Sequence, residues 1–96
     1  MDIALGQVVY SKAGRDGGRK FIVVDIIDEN YVMISDGDLR KIDKPKKKKI
    51  KHIKPTEIVI ESLAEKLRNG QRVTNSEIRK TLASIEESLE KNEIKI

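Results

Sequence analysis

The chain has no cysteine and no tryptophan, a single histidine, two prolines and three aromatic residues, Tyr10, Phe21 and Tyr31. Without thiols there is neither a disulfide framework nor a thiolate metal site. His52 has no second histidine or cysteine to complete a metal pair, and no nucleophile-plus-base set accompanies it. Asp36 and Asp38 flank Gly37, which is turn chemistry first of all, and no EF-hand spacing follows them. The glycine-rich stretch at 14–20 lacks the Gly-Lys-Ser/Thr ending of a phosphate-binding P-loop. No run approaches the ~20 apolar residues of a membrane helix. The N-terminus lacks the basic start and apolar stretch of a signal peptide. The expectation is a cytoplasmic protein that is not an enzyme, with no catalytic residues, metal, cofactor or membrane partner.

What is abundant is charge. Charged residues make up 38% of the 96 residues, against about a quarter in ordinary globular domains. Lysine and arginine outnumber aspartate and glutamate 20 to 16, for a net charge of +4 and an isoelectric point near 9.4. The excess is not evenly spread. Residues 1–55 carry 13 basic and 8 acidic side chains (net +5), whereas residues 56–96 carry 7 and 8 (net −1). A mixed but basic half suits a folded protein with a polyanionic partner.

The periodicity changes at the same place. Residues 7–12 are rich in valine and tyrosine, residues 20–27 are apolar and β-branched, and residues 31–34 repeat that character. A glycine loop at 13–18 and Asp28-Glu29-Asn30 separate them, and Asp36-Gly37 is a hairpin signal. The pattern predicts a fourth strand at 39–42, a basic loop at 44–49 and a last strand at 50–54 ending at Pro55. Five short strands with tight turns point to a small closed barrel. Beyond it, Ile60, Leu63, Ala64 and Leu67 fall at helical spacing, and Asn69-Gly70 is a natural stop. Thr74-Asn75-Ser76-Glu77 is a capping box, with Val73 and Ile78 placed as a hydrophobic staple. Ile78, Leu82, Ile85 and Leu89 continue one stripe. The spacing predicts helices over 57–69 and 75–91, forming a hairpin, although Ile58-Val59-Ile60 also suits an extended strand. The domain division expected is 1–55 for the barrel and 56–96 for a two-helix appendage.

The segment 6–27 is the informative one. Gly6 opens a strand with Val8 and Val9. Gly14-Arg15-Asp16-Gly17-Gly18-Arg19 forms a glycine-basic loop, and a second apolar strand starts at Phe21. This resembles the KOW motif of large-subunit ribosomal proteins and NusG-type transcription factors. Lys20-Phe21 stands where the common bacterial pattern has a further glycine. The chain is therefore more similar to the archaeal and eukaryotic group of KOW-type large-subunit ribosomal proteins, over residues 5–56. The resemblance implies a mainly β fold with α, a Src-homology-3-like (SH3-like) five-stranded barrel that binds RNA through the KOW loop and its neighbours.

The chemistry of the residues agrees with that implication. Backbone N–H groups at Gly14, Gly17 and Gly18 can approach a phosphate closely, and Arg15 and Arg19 can pair with its oxygens bidentately. Lys12, Lys20, Arg40, Lys41, Lys44, Lys46, Lys47, Lys48, Lys49 and Lys51 complete the basic set expected to meet RNA, releasing counterions as they do. With so few aromatics the chain suits the shape and backbone of structured RNA, above all ribosomal RNA, better than single strands. Ribosomal proteins are the accompanying partners expected; the oligomeric state is not specified. Two alternatives share the sequence features. One is a transcription-associated KOW module that binds RNA polymerase or nascent RNA. The other makes residues 73–89 a helix-turn-helix that reads DNA or holds a protein.

Overall fold

A computed structural model of the chain describes the backbone of residues 3–12 and 17–94, and the side chains of these residues as far as Ile85. Five strands, β1 (Gln7–Ser11), β2 (Lys20–Ile26), β3 (Tyr31–Ser35), β4 (Lys46–Lys49) and β5 (Ile53–Val59), precede α1 (Glu61–Arg68) and α2 (Asn75–Ile94). All pairings are antiparallel, in the order β4-β3-β2-β1-β5. A 3-10 turn at Ile50–His52 carries the chain from one edge strand to the other. Three residues can join the two edges only if the sheet is strongly curled. No ladder between β4 and β5 is present among the described residues, so the expected barrel is seen as a curled five-stranded sheet.

Alternation along the strands builds two apolar layers. Val9, Phe21, Val23, Val32, Ile34 and Ile53 form the cluster within the curl, with Ile3 and Ile50 against it. Val8 and Ile22, on the other face, join Leu63, Val73, Ile78, Leu82 and Ile85. The helices thus cover the back of β1 and β2. Burying each large aliphatic side chain contributes about 1.5–3 kcal/mol, so this second layer is a substantial part of the stability.

Three expectations are corrected here. No strand forms at 39–42; this stretch is a series of bends between β3 and β4. Asp36 dictates that outcome, because its Oδ1 accepts the backbone N–H groups of Asp38 (3.0 Å) and Arg40 (2.8 Å). Secondly, the basic loop at 44–49 contains a strand. β4 is Lys46–Lys49, paired residue for residue with β3 from Ile34 to Tyr31. Lysine is a poor strand former in general, but β4 is an edge strand, and lysine stems lie along apolar surface while their ammonium groups reach water. Lys46 and Lys48 oppose the buried Ile34 and Val32 and are themselves half-buried, whereas Lys47 and Lys49 are exposed. Thirdly, the last strand begins at Ile53 and runs through Pro55 to Val59. A proline is tolerated there because β5 is the other edge. The helix expected from 57 consequently starts at Glu61.

Gly6 ties the layers together. Its N–H donates to the Val23 carbonyl (2.8 Å), and its carbonyl accepts the Ile60 N–H (2.9 Å) at the entry to α1. Its φ is +80°, and a Cβ there would lie 2.8 Å from the Ala64 Cβ and 2.9 Å from the Ile60 oxygen. Between the helices, α1 closes with the Gln71 N–H on the Lys66 carbonyl and the Gly70 N–H on that of Leu67, a Schellman pattern. The capping box forms as the sequence predicts. The Glu77 N–H donates to Thr74 Oγ1 (3.1 Å), and the Thr74 N–H to Glu77 Oε2 (2.8 Å). Lys66 of α1 adds an ion pair to Glu77. That ammonium, followed by the Thr74 N–H, holds the Glu77 carboxyl down from the usual 4.5 to about 2.

Candidate nucleic-acid interface

The lysines sort by the register of β3 and β4. Lys49 stands opposite Tyr31, and Lys47 opposite Met33, so both share the outward face of β3 with the tyrosine ring. The Lys47 Nζ lies 4.6 Å from the ring centroid and that of Lys49 lies 6.0 Å away, within reach of the cation–π attraction. Tyr31 itself is fixed by the turn before it. Asp28 Oδ1 accepts the N–H groups of Asn30 (2.8 Å) and Tyr31 (2.9 Å), and the Ile27 N–H donates to the Tyr31 carbonyl (3.0 Å).

The curl brings β1 to the same corner. The Lys12 N–H donates to the His52 carbonyl (2.9 Å), and the Ile50 N–H to that of Asn30 (2.8 Å), so the 3-10 turn is pinned on both sides. The result is an open depression of about 560 Å³ lined by Lys12, Lys49 and Lys51, by Glu29, Asn30 and Tyr31, and by Ile50 and Ile53. Three ammonium groups face one carboxylate there. Aromatic, aliphatic and cationic side chains line it together, the combination that accommodates a nucleotide's base and phosphate.

The remaining predicted residues lie elsewhere. Gly14 and Arg15, with Asp16, fall outside the described residues. Gly17 and Gly18 are exposed, and the Gly18 N–H donates to the Ser11 carbonyl (2.8 Å), which closes the base of the KOW-like loop directly beside Lys12. Arg19 turns the other way. Its guanidinium meets the Asp36 carboxylate at 3.1 Å and that of Asp38 at 3.7 Å. With Lys20 it lines a second depression shared with Arg79, Leu82 and Ala83 of α2. Arg79 Nη1 also donates to the Gly37 carbonyl (2.6 Å), and Gly37 packs so tightly on the start of α2 that a Cβ would lie 2.4 Å from the Asn75 oxygen. Arg40, Lys41 and Lys44 belong to the β3–β4 connection, at the opposite end of that hairpin from Tyr31 and Lys49. The Ile42 N–H there is anchored on Asn75 Oδ1 (2.8 Å).

The structure therefore gathers Lys12, Lys47, Lys49 and Lys51 at one corner, places Lys46 and Lys48 on the opposite face of β4, and separates both sets from Arg19, Lys20, Arg40, Lys41 and Lys44. Sequence reasoning did not single out Tyr31, Asn30 or Ile50 as part of a site. The signal was the alternation of Lys47 and Lys49 against Tyr31, which is invisible while the lysine run is read as a loop. Among the described residues no group of three or more acidic, histidine or cysteine side chains is placed to hold a metal ion. No described helix is long and apolar enough to cross a membrane.

No protein-family model matches the chain. Individual proteins do. The large ribosomal subunit protein eL14 of Pyrobaculum arsenaticum is 42% identical over 59 residues, covering 62% of this chain and 57% of that protein. The eL14 of Staphylothermus marinus is 41% identical over 59 residues, covering 62% of each. That of Pyrobaculum aerophilum is 46% identical over 55 residues, 57% of this chain and 53% of the relative. The match thus spans little more than half the length of these curated relatives. Over that shared segment the chain is similar to the large ribosomal subunit protein eL14.

Proposed function

We propose that the chain is a non-enzymatic, cytoplasmic RNA-binding protein of the large ribosomal subunit. In this reading its curled sheet is an SH3-like barrel, and it meets structured ribosomal RNA through the KOW-like loop and the lysine strand. The observation that carries the reading is the convergence of Lys12, Lys47, Lys49 and Lys51 on one corner, beside the base of a loop that contains Arg15. Four ammonium groups so placed span several phosphates, and each phosphate neutralised steepens the salt dependence by roughly 0.9 in log–log slope on a duplex. The eL14 relatives supply the choice of RNA. Arg40, Lys41 and Lys44 add a second basic edge that an RNA wrapping past the β3–β4 connection reaches.

Binding of the full chain to large-subunit ribosomal RNA over a series of salt concentrations tests this. Sub-micromolar binding at low salt that falls steeply with added salt is expected. Absence of binding at low salt, or co-purification with RNA polymerase in place of ribosomal subunits, overturns it. A DNA-reading role for residues 73–89 has little support. Val73, Ile78, Leu82 and Ile85 are committed to the core, and Arg79 to the Gly37 carbonyl.

A further inference from the structure

Three features of the corner are not needed for a surface that only tracks phosphates. Tyr31 is held by a turn that uses Asp28 to fix the backbone on its N-terminal side. The Lys47 ammonium lies over the tyrosine ring and braces it. The depression itself has two unlike walls. Residues 29–31 with Lys49 and Ile50 form one, and Lys12, Lys51 and Ile53 form the other. At about 560 Å³ it lies in the ordinary range for small-molecule sites, about 300–1,000 Å³.

We infer that this depression is a receptor for one unpaired nucleotide extruded from a structured RNA. The base lies against the Tyr31 ring and over Ile50, and the phosphate sits at the opposite wall with Lys12 and Lys51. Glu29 sets the direction. Its carboxylate repels phosphate and accepts a hydrogen bond from an exocyclic amine, so the base is drawn to the Glu29–Tyr31 wall and the phosphate to the Lys12–Lys51 wall. A single platform cannot hold a length of single strand, for which successive rings are needed. It can hold one bulged or loop nucleotide while the flanking helices meet the lysines. The inference rests on the RNA-binding reading above and adds to it a preference for RNA with an extruded base.

The test compares one RNA hairpin carrying a single bulged 2-aminopurine with the same hairpin fully paired, each titrated with the full chain. The bulged RNA is expected to bind about tenfold more tightly, in line with measured base–aromatic stacking, and its fluorescence to fall on binding. Tyr31→Ser should remove the preference and the fluorescence change, lowering affinity for the bulged hairpin more than for the paired one, and Tyr31→Phe should keep both. Equal affinity for the two RNAs overturns the receptor but leaves the RNA-binding reading standing. Binding of neither overturns both. A Tyr31→Ser chain that loses affinity for both hairpins equally also overturns the receptor.

Discussion

At the residue scale, small changes at two kinds of position separate stability from binding. Gly6 has a left-handed backbone and no room for a methyl group beside Ala64 and Ile60. Gly6→Ala therefore combines backbone strain with overpacking, together about 2–4 kcal/mol, and a shift of the urea midpoint to lower concentration is the expected result. Lys49 and Lys51 are exposed and line the depression. Lys49→Ala with Lys51→Ala should leave the melting temperature within a few degrees. The same pair should lower RNA affinity and reduce the log–log salt slope by about 2, near 0.9 per lost phosphate contact. An unchanged slope in filter-binding measurements would remove these lysines from the interface. Arg19 is a contrasting case. With its guanidinium on Asp36 and Asp38, Arg19→Ala is expected to loosen the 36–40 turn as well as any RNA contact, so its effect on affinity alone is not diagnostic.

At the element scale, the start of α2 is the most legible structure in the chain. Thr74→Ala deletes the side-chain cap and is expected to cost about 1 kcal/mol in denaturant unfolding. Glu77 adds a pH signature. Its carboxyl titrates near 4.5 when unfolded and near 2 when folded. The unfolded chain therefore binds the proton first, and the stability Glu77 confers is fully present above about pH 4.5 and lost as the pH falls toward 2. Glu77→Gln should flatten the fall in urea midpoint across that window relative to the parent chain. The capping box was readable because its signal is local, two side chains three residues apart. The same holds for β1, β2 and β3, whose β-branched runs state their own conformation, and for the Asn69-Gly70 stop. Where the sequence misled, the deciding interaction was distant. The lysine run carries no alternation of its own and becomes a strand only because Tyr31 to Ile34 offers it a partner. Pro55 reads as a stop unless β5 is known to be an edge. Residues 57–59 have helical neighbours but continue β5 as far as Gln7. The candidate site was legible as a list of cations and not as a place, since the 3-10 turn at Ile50–His52 that brings Lys12 to Tyr31 leaves no mark in the composition.

At the scale of the whole molecule, sheet and helices share one strand and one glycine. β5 crosses Pro55 without interruption, and the cluster on the back of β1 and β2 is completed from α1 and α2. One cooperative transition is expected in calorimetry, with the calorimetric and van't Hoff enthalpies equal. Two separable transitions would show that the halves fold independently. The lysine strand has a further consequence, for the free protein. β4 stands at an end of the strand order, and a sheet edge is the place where another chain's strand can add. Four adjacent positive charges make a second copy of that edge repel the first, and the repulsion reaches only about 10 Å at 0.1 M salt. On the proposed RNA-binding reading, the charges offered to RNA also disfavour self-association of the unbound protein. Raising the salt, or acetylating these lysines, should bring on aggregation in the absence of RNA.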